Sequence, residues 1–143
     1  MLTIDATEAI AVLNGMAMRM AHPQPVLAQI GEFTASKVML GIMSEKDDPE
    51  GRAWAAWMPS TREQRTKKGN VGLGLLWDEG TLLGSIRVQT SAHEVVIGTT
   101  VKEGAYLQEG TSKMAARPFL GWSEAEALMA EQFIARYIEG IDL

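Results

Sequence analysis

The side chains of this sequence that could do chemistry are few and lie in separate contexts. The sequence contains no cysteine, which excludes a thiolate nucleophile and a thiolate metal site. His22 has no acidic residue or second histidine beside it, and His93-Glu94 lacks the second histidine that a zinc-binding helix requires. We therefore predict no catalytic residues, no cofactor and no bound metal.

Two short patterns resemble ligand-binding loops but lack the necessary context. Asp47, Asp48 and Glu50 form an acidic run without the spacing of a calcium loop, and Asp48-Pro49 predicts a solvated turn. Residues 72–74 read Gly-Leu-Gly, without the third glycine and the preceding strand of a phosphate-binding loop. Both patterns are typical of turns.

The remaining candidate function is the binding of another protein. Most of the candidate residues for it lie in residues 44–74, which we predict to be a long flexible loop. Two tryptophans in this loop are either core anchors or interface anchors. The basic run that follows is either a solvated segment or one that orders against an acidic partner. Arg117 either bonds to residues 106–110 or contacts another subunit. The candidate interface residues are Trp54, Trp57, Arg62, Arg65, Lys67 and Lys68, with Tyr106 and Arg117 positioning them.

Apolar residues at three- and four-residue spacing predict three helices that must hold this loop. The first begins at Asp5 or Thr7 and ends near Met20, and the second covers about residues 26–43. A third begins at Ser123, where Ser-x-x-Glu forms a capping box, and ends at Gly140; we expect its apolar stripe to pack on a sheet.

Alternation of apolar and polar residues predicts the sheet. Residues 82–89 and 93–99 read as an antiparallel hairpin, residues 105–110 as a short edge strand, and residues 2–4 as a strand or an anchor. Phe119 and Leu120 are expected to be buried against it. The fold class is α+β: a small antiparallel sheet packed against N-terminal helices and a C-terminal helix, in a single domain over residues 1–143.

Composition is ordinary for a globular protein, with 46% hydrophobic and 22% charged residues. The net charge of −5 argues against direct recognition of nucleic acid. We see no apolar run near the ~18 residues of a membrane span, and the first residues carry acids where a signal peptide carries bases. We expect no membrane partner and folding in a reducing cytoplasm.

A series of short motifs runs through the second half of the chain, preceded by one upstream element, Asp48-Pro49-x-Gly51-x-x-Trp54. The downstream positions are Gly80, Leu82, Ser85 and Ile86; Val96, Ile97, Gly98 and Thr99; Tyr106 and Gly110; and Arg117, Pro118, Phe119, Leu120 and Gly121. Together these motifs resemble the phage virion morphogenesis, or tail-completion, proteins of Mu-like phages and prophages.

The resemblance implies a structural protein of the phage tail or head-tail junction that completes the tail and allows heads to join, without catalysis. Its implied partners are other virion proteins, such as tail tube, tail terminator or connector proteins, and a hexameric ring in the particle. Its implied location is the virion, after assembly in the bacterial cytoplasm. A tail-terminator or head-side adaptor ring, or a cellular protein-binding module, are the alternatives.

Overall fold

The computed structural model describes residues 1–44, 47–72, 75–76 and 78–141. Within these ranges the protein is α+β, with six helices and one two-stranded antiparallel sheet. In chain order the elements are α1 (Thr7–Ala21), α2 (Gln24–Ser44), α3 (Pro59–Lys68), α4 (Thr81–Gly84), β1 (Ile86–Thr90), β2 (Val95–Thr99), α5 (Lys102–Glu109) and α6 (Glu124–Glu139).

Helix α2 is the centre of the molecule. Its predicted apolar stripe is confirmed, since Ile30, Val38 and Ile42 are buried on one face. This face packs on the hairpin, and the core continues to Trp54 and Phe119. By length and hydropathy α2 could cross a membrane, contrary to the expectation from the sequence. In this fold its apolar face forms the hydrophobic core instead.

The β1–β2 hairpin lies directly against α2. Its register pairs Ile86 with Thr99 and Thr90 with Val95, so the predicted hairpin is confirmed, although its first strand starts later than predicted. Residues 81–84, which were predicted to begin the strand, instead form α4, a single helical turn. A Cβ atom at Gly31 of α2 would stand 2.6 Å from Val95 Cγ2, so glycine lets the helix approach the sheet closely.

Helix α6 has the predicted ends. The Ser123 hydroxyl accepts a hydrogen bond from the Glu126 N–H, the Glu126 carboxylate accepts one from the Ser123 N–H, and Gly140 closes the helix at φ 75°. The prediction for its packing is wrong: α6 lies on α1 and α2 rather than chiefly on the sheet. Phe133 meets Phe33 of α2 edge to face, with ring centroids 5.8 Å apart.

The predicted edge strand over residues 105–110 is wrong, because this segment belongs to helix α5. Glu103 in its first turn and Gly110 after its last are helix signals that the apolar-polar alternation concealed. Gly104 faces Thr99, which brings α5 against the end of β2.

The N-terminal segment is unexpectedly exposed, and we call residues 1–6, which precede α1, the arm. Residues 1–6 have no regular structure, so residues 2–4 are not the strand that was one of the two predicted alternatives. They do not anchor within this chain either, because Leu2 and Ile4 are 85% and 82% exposed. Helix α1 is amphipathic as predicted, yet none of its residues is buried. It is fastened to the body at its far end, where Arg19 Nε donates to the Ile138 carbonyl at 2.7 Å.

The prediction of a loop over residues 44–74 is wrong for the basic run, which forms α3. Pro59 occupies the start of this helix, and Gly69 ends it with φ 75°. The turn predicted around Asp48 is confirmed, but its carboxylate is buried rather than solvated. It accepts hydrogen bonds from the N–H groups of Glu50 and Arg52 and from Arg52 Nε.

Candidate functional site

A groove of about 740 Å³ opens beside α3 and is lined by four of the eight residues predicted to form an interface: Trp57, Arg65, Tyr106 and Arg117. Its lining includes residues 55–58, residues of α3 and α5, residues 113–115 and Arg117. Apolar side chains at its base include Leu76, Leu82 and Leu107. We call this space the α3–α5 groove.

Trp57 and Arg65 form one wall of the α3–α5 groove. The Arg65 guanidinium lies over the Trp57 ring, 4.3 Å from its centroid, and the indole Nε1 donates to the Leu75 carbonyl at 2.9 Å. Arg65 is only 9% exposed. Burial lowers the pKa of Arg65. The negative charge of Asp78 partly offsets this lowering, and the positive charge of Arg117 adds to it. The wall is thus a stacked cation–aromatic pair rather than a mobile loop.

Arg117 also lines the groove and is 7% exposed. Its Nε donates to the Ala55 carbonyl and its Nη2 to the Ala56 carbonyl, both at 2.7 Å. Residues 106–110 are contacted by its backbone N–H, which donates to the Leu107 carbonyl, and not by the guanidinium as predicted. Burial lowers the pKa of Arg117. Arg117 therefore holds residues 55–56 in place, and a role between subunits stays a prediction.

The other basic residues of α3 differ in their surroundings. Lys67 pairs with Glu63 at 2.9 Å on the solvent side. Lys68 Nζ lies 3.3 Å from Asp78 and 3.0 Å from Glu79, and hydrogen bonds to both, with that to Glu79 the larger cause, raise its pKa. Arg62 is exposed. The basic run is therefore one helix whose last turn is fastened to the residue 78–79 turn.

Asn70, which was not among the predicted site residues, also links α3 to the residue 78–79 turn. Its Nδ2 donates to the Asp78 carboxylate at 2.7 Å, which is the largest cause of the lowered pKa of Asp78. The Asn70 N–H donates to the Arg65 carbonyl just after the left-handed Gly69. An Asn directly after a Gly cap was the available signal, since both residues suit a helix end.

The groove contains acids and bases but no arrangement suited to bond making among its described residues. Asp78 and Glu79 form ion pairs with Lys68, and Arg117 donates hydrogen bonds to two backbone carbonyls. A second, smaller cavity of about 310 Å³ is lined by Asp48 and Glu126 among other residues. Asp48 forms an ion pair with Arg52, and the Glu126 carboxylate accepts a hydrogen bond from the Ser123 hydroxyl. Across the described ranges, no three His, Cys, Asp or Glu side chains gather as metal ligands.

The profile of the phage virion morphogenesis family matches residues 4–139 of this sequence. The chain belongs to that family. This membership supports a role in virion assembly and an association with other virion proteins, and it suggests a structural rather than a catalytic protein. No curated protein and no solved structure matches the chain.

In this member of the virion morphogenesis family, hydrogen bonds from other segments hold residues 117–121 in place. These residues carried part of the resemblance. Gln108 is not among the predicted residues, yet its Oε1 accepts hydrogen bonds from the Phe119 and Leu120 N–H groups. Trp54 is a core anchor, buried with its Nε1 donating to the Pro118 carbonyl at 2.7 Å. The predicted burial of Phe119 is confirmed, since it is 2% exposed, whereas Leu120 is only partly buried where it packs against the core.

Tyr106 differs from these buried anchors because it is half exposed on α5 and lines the groove. The predicted site therefore separates into two groups. Trp54, Arg65 and Arg117 build the frame, whereas Arg62, Lys67 and Tyr106 present polar groups to solvent.

Proposed function

We propose that this protein acts at the end of phage tail assembly, completing the tail and allowing it to join the head, without catalysis. The observation that carries the proposal is the family match over nearly the whole chain. A compact frame with an exposed arm and an open apolar groove is consistent with a part fitted between neighbours. Such a part needs complementary surfaces rather than a reactive centre.

The assembled form is proposed to be a ring of copies in the tail or neck of the virion. Phage tails are built around a central axis, so identical copies placed around it would use a heterologous contact that closes. The partners would be tail tube, terminator or connector proteins, and the acidic balance of the chain speaks against a nucleic-acid partner.

Electron microscopy of particles from a phage lacking this gene tests the proposal. We expect full heads and tails of normal length that fail to join, and restored joining when the gene is supplied from a plasmid. Tails of abnormal length would instead assign the protein to tail termination. Normal infectious particles in the absence of the gene would contradict a role in assembly altogether.

A further inference from the structure

The exposed arm and the α3–α5 groove are two unpartnered surfaces on different parts of the molecule. Residues 1–6 precede α1, which is fastened to α6 through Arg19 and through the Tyr137 hydroxyl, which donates to the His22 carbonyl at 2.6 Å. The described lining of the groove comes from residues 55–115 and Arg117, with none from α1 or α6. A contact between arm and groove of two copies would therefore join unlike surfaces.

The chemistry of the groove indicates what it would take. Its base is apolar, with Leu76 and Leu82 buried, and its rim carries the exposed Met58. Arg117 makes two hydrogen bonds to neutral carbonyls, and no described carboxylate lies within ion-pair distance of its guanidinium. A guanidinium has five N–H donors, so donors remain for an anionic group. An occupant with apolar side chains and a carboxylate fits best.

The arm has this composition. Met1, Leu2 and Ile4 are its large apolar side chains and are all highly exposed, and the carboxylate of Asp5 follows directly. Asp5 Oδ1 caps Thr7, which leaves its second oxygen available. In an extended segment Leu2 and Ile4 project to the same side, which suits a single apolar wall.

We propose that the arm of one copy, residues 1–6, docks in the α3–α5 groove of a neighbouring copy, with Leu2 and Ile4 on its apolar base and the Asp5 carboxylate facing Arg117. This inference deepens the proposed function and rests on it, because a ring requires a repeated contact between copies. Donor and acceptor surfaces differ, so the contact is heterologous and extends to a closed ring or an open chain.

The absence of cysteine allows a direct test by cross-linking. Two variants with one cysteine each, Ile4→Cys and Thr61→Cys, are mixed at about millimolar concentration and treated with a short bismaleimide. A dimer between the two variants forms only if the arm of one copy reaches the groove of another. The matched control pairs Ile4→Cys with Val96→Cys, an exposed position on β2. We expect mixed dimers at least tenfold more abundant than in the control; equal yields would overturn the proposal.

A peptide of residues 1–10 tests the chemistry without altering the fold. Binding of this labelled peptide to the full-length Leu2→Asp, Ile4→Asp protein, whose own arm should not compete, is followed by fluorescence anisotropy. We expect saturable binding, about tenfold weaker for the Asp5→Asn peptide because the charge-assisted hydrogen bond is lost, and none for Leu2→Asp with Ile4→Asp. Binding no tighter than that of a scrambled peptide would overturn the proposal, as would indifference to Asp5.

These outcomes are separable from those for the proposed function. If the arm neither cross-links nor binds while phage lacking the gene still fail to join heads and tails, the groove takes a different virion protein and only this inference fails. If the arm docks but the deletion phage assembles normally, the proposed function fails while the contact between copies stands.

Discussion

Arg117 is the residue on which the frame of the groove most depends, because one buried guanidinium joins two segments distant in sequence. In Arg117→Met the Ala55 and Ala56 carbonyls lose their charged donors. We expect the free energy of unfolding to fall by about 2–4 kcal/mol, measured by urea denaturation. Arg62→Met, the same change at an exposed arginine of α3, should leave it unchanged. Equal effects of the two changes would show that the two carbonyl bonds contribute little.

Asp48 gives the turn between α2 and Trp54 a dependence on pH. Hydrogen bonds from the Arg52 backbone, ahead of those from its side chain and from Glu50, lower the pKa of Asp48. Because the folded pKa lies below the ordinary value of about 3.9, the stabilisation is complete above that value. It is lost as pH falls through the folded pKa.

The expected result is a difference between the protein and its Asp48→Asn variant. The free energy of unfolding, measured at pH values from about 7 to about 2.5, should fall more steeply for the unmodified protein below about pH 4. At neutral pH the variant should be the less stable of the two. Curves that run parallel over the whole range would mean that Asp48 titrates alike in the folded and unfolded chain.

At the scale of elements, α3 is the clearest departure from what the sequence predicted, and its end can be tested. Gly69 ends the helix at φ 75°, and a Cβ atom added there would have no neighbour within 4 Å, so Gly69→Ala would add only backbone strain. We expect a loss of about 1 kcal/mol in the free energy of unfolding. Gly72→Ala, also in open space but without a left-handed φ, should be neutral or slightly stabilising. A neutral Gly69→Ala would indicate that α3 is not fixed at this end.

Helix α2 and the hairpin make the opposite case, in which glycine provides space. In Gly31→Ala the new methyl would stand 2.6 Å from Val95 and 2.7 Å from Val88. We expect a net loss of about 1–3 kcal/mol despite the better helix propensity of alanine. Gly15→Ala in α1, where the nearest atom is 3.4 Å away at the end of Arg19, should gain up to about 1 kcal/mol. Thermal unfolding of the two variants separates crowding from propensity.

The elements that the sequence predicted well are those whose signal is local and redundant. Helix α6 carried a capping box and a closing glycine, and α2 carried a long apolar stripe. Helix α5 reads as a strand because its eight residues are too few for helical periodicity to outweigh alternation. In α3, Pro59 at the start and Glu63 four residues before Lys67 favoured a helix, but the density of charge suggested a loop.

The candidate site was predictable by residue type but not by role. Tryptophan and arginine are the types expected at an interface, and Trp57, Arg65 and Arg117 do line the groove. The sequence could not show that Arg65 stacks on Trp57 or that Arg117 bonds to Ala55. These contacts join residues 8 and 62 positions apart, and a pairing of that kind depends on the tertiary fold. The exposure of α1 was equally hidden, since an amphipathic stripe does not reveal whether its partner belongs to the same chain.

At the scale of the whole molecule, stability and assembly should depend on different residues. Leu2 and Ile4 contact almost nothing within the chain, so replacing both with Asp should leave the free energy of unfolding unchanged. If the arm joins copies in the virion, the same change should lower the yield of infectious particles at least tenfold in complementation of a deletion phage. Val96→Asp places a charge at a comparably exposed apolar position on β2 and should affect neither quantity.

A normal yield from the Leu2→Asp, Ile4→Asp protein would show that the arm is dispensable. A loss of stability would show instead that the arm packs on its own chain. The proposal requires a protein that is stable but fails to assemble, because the apolar residues of the arm are exposed in the single chain and covered by another copy in the virion.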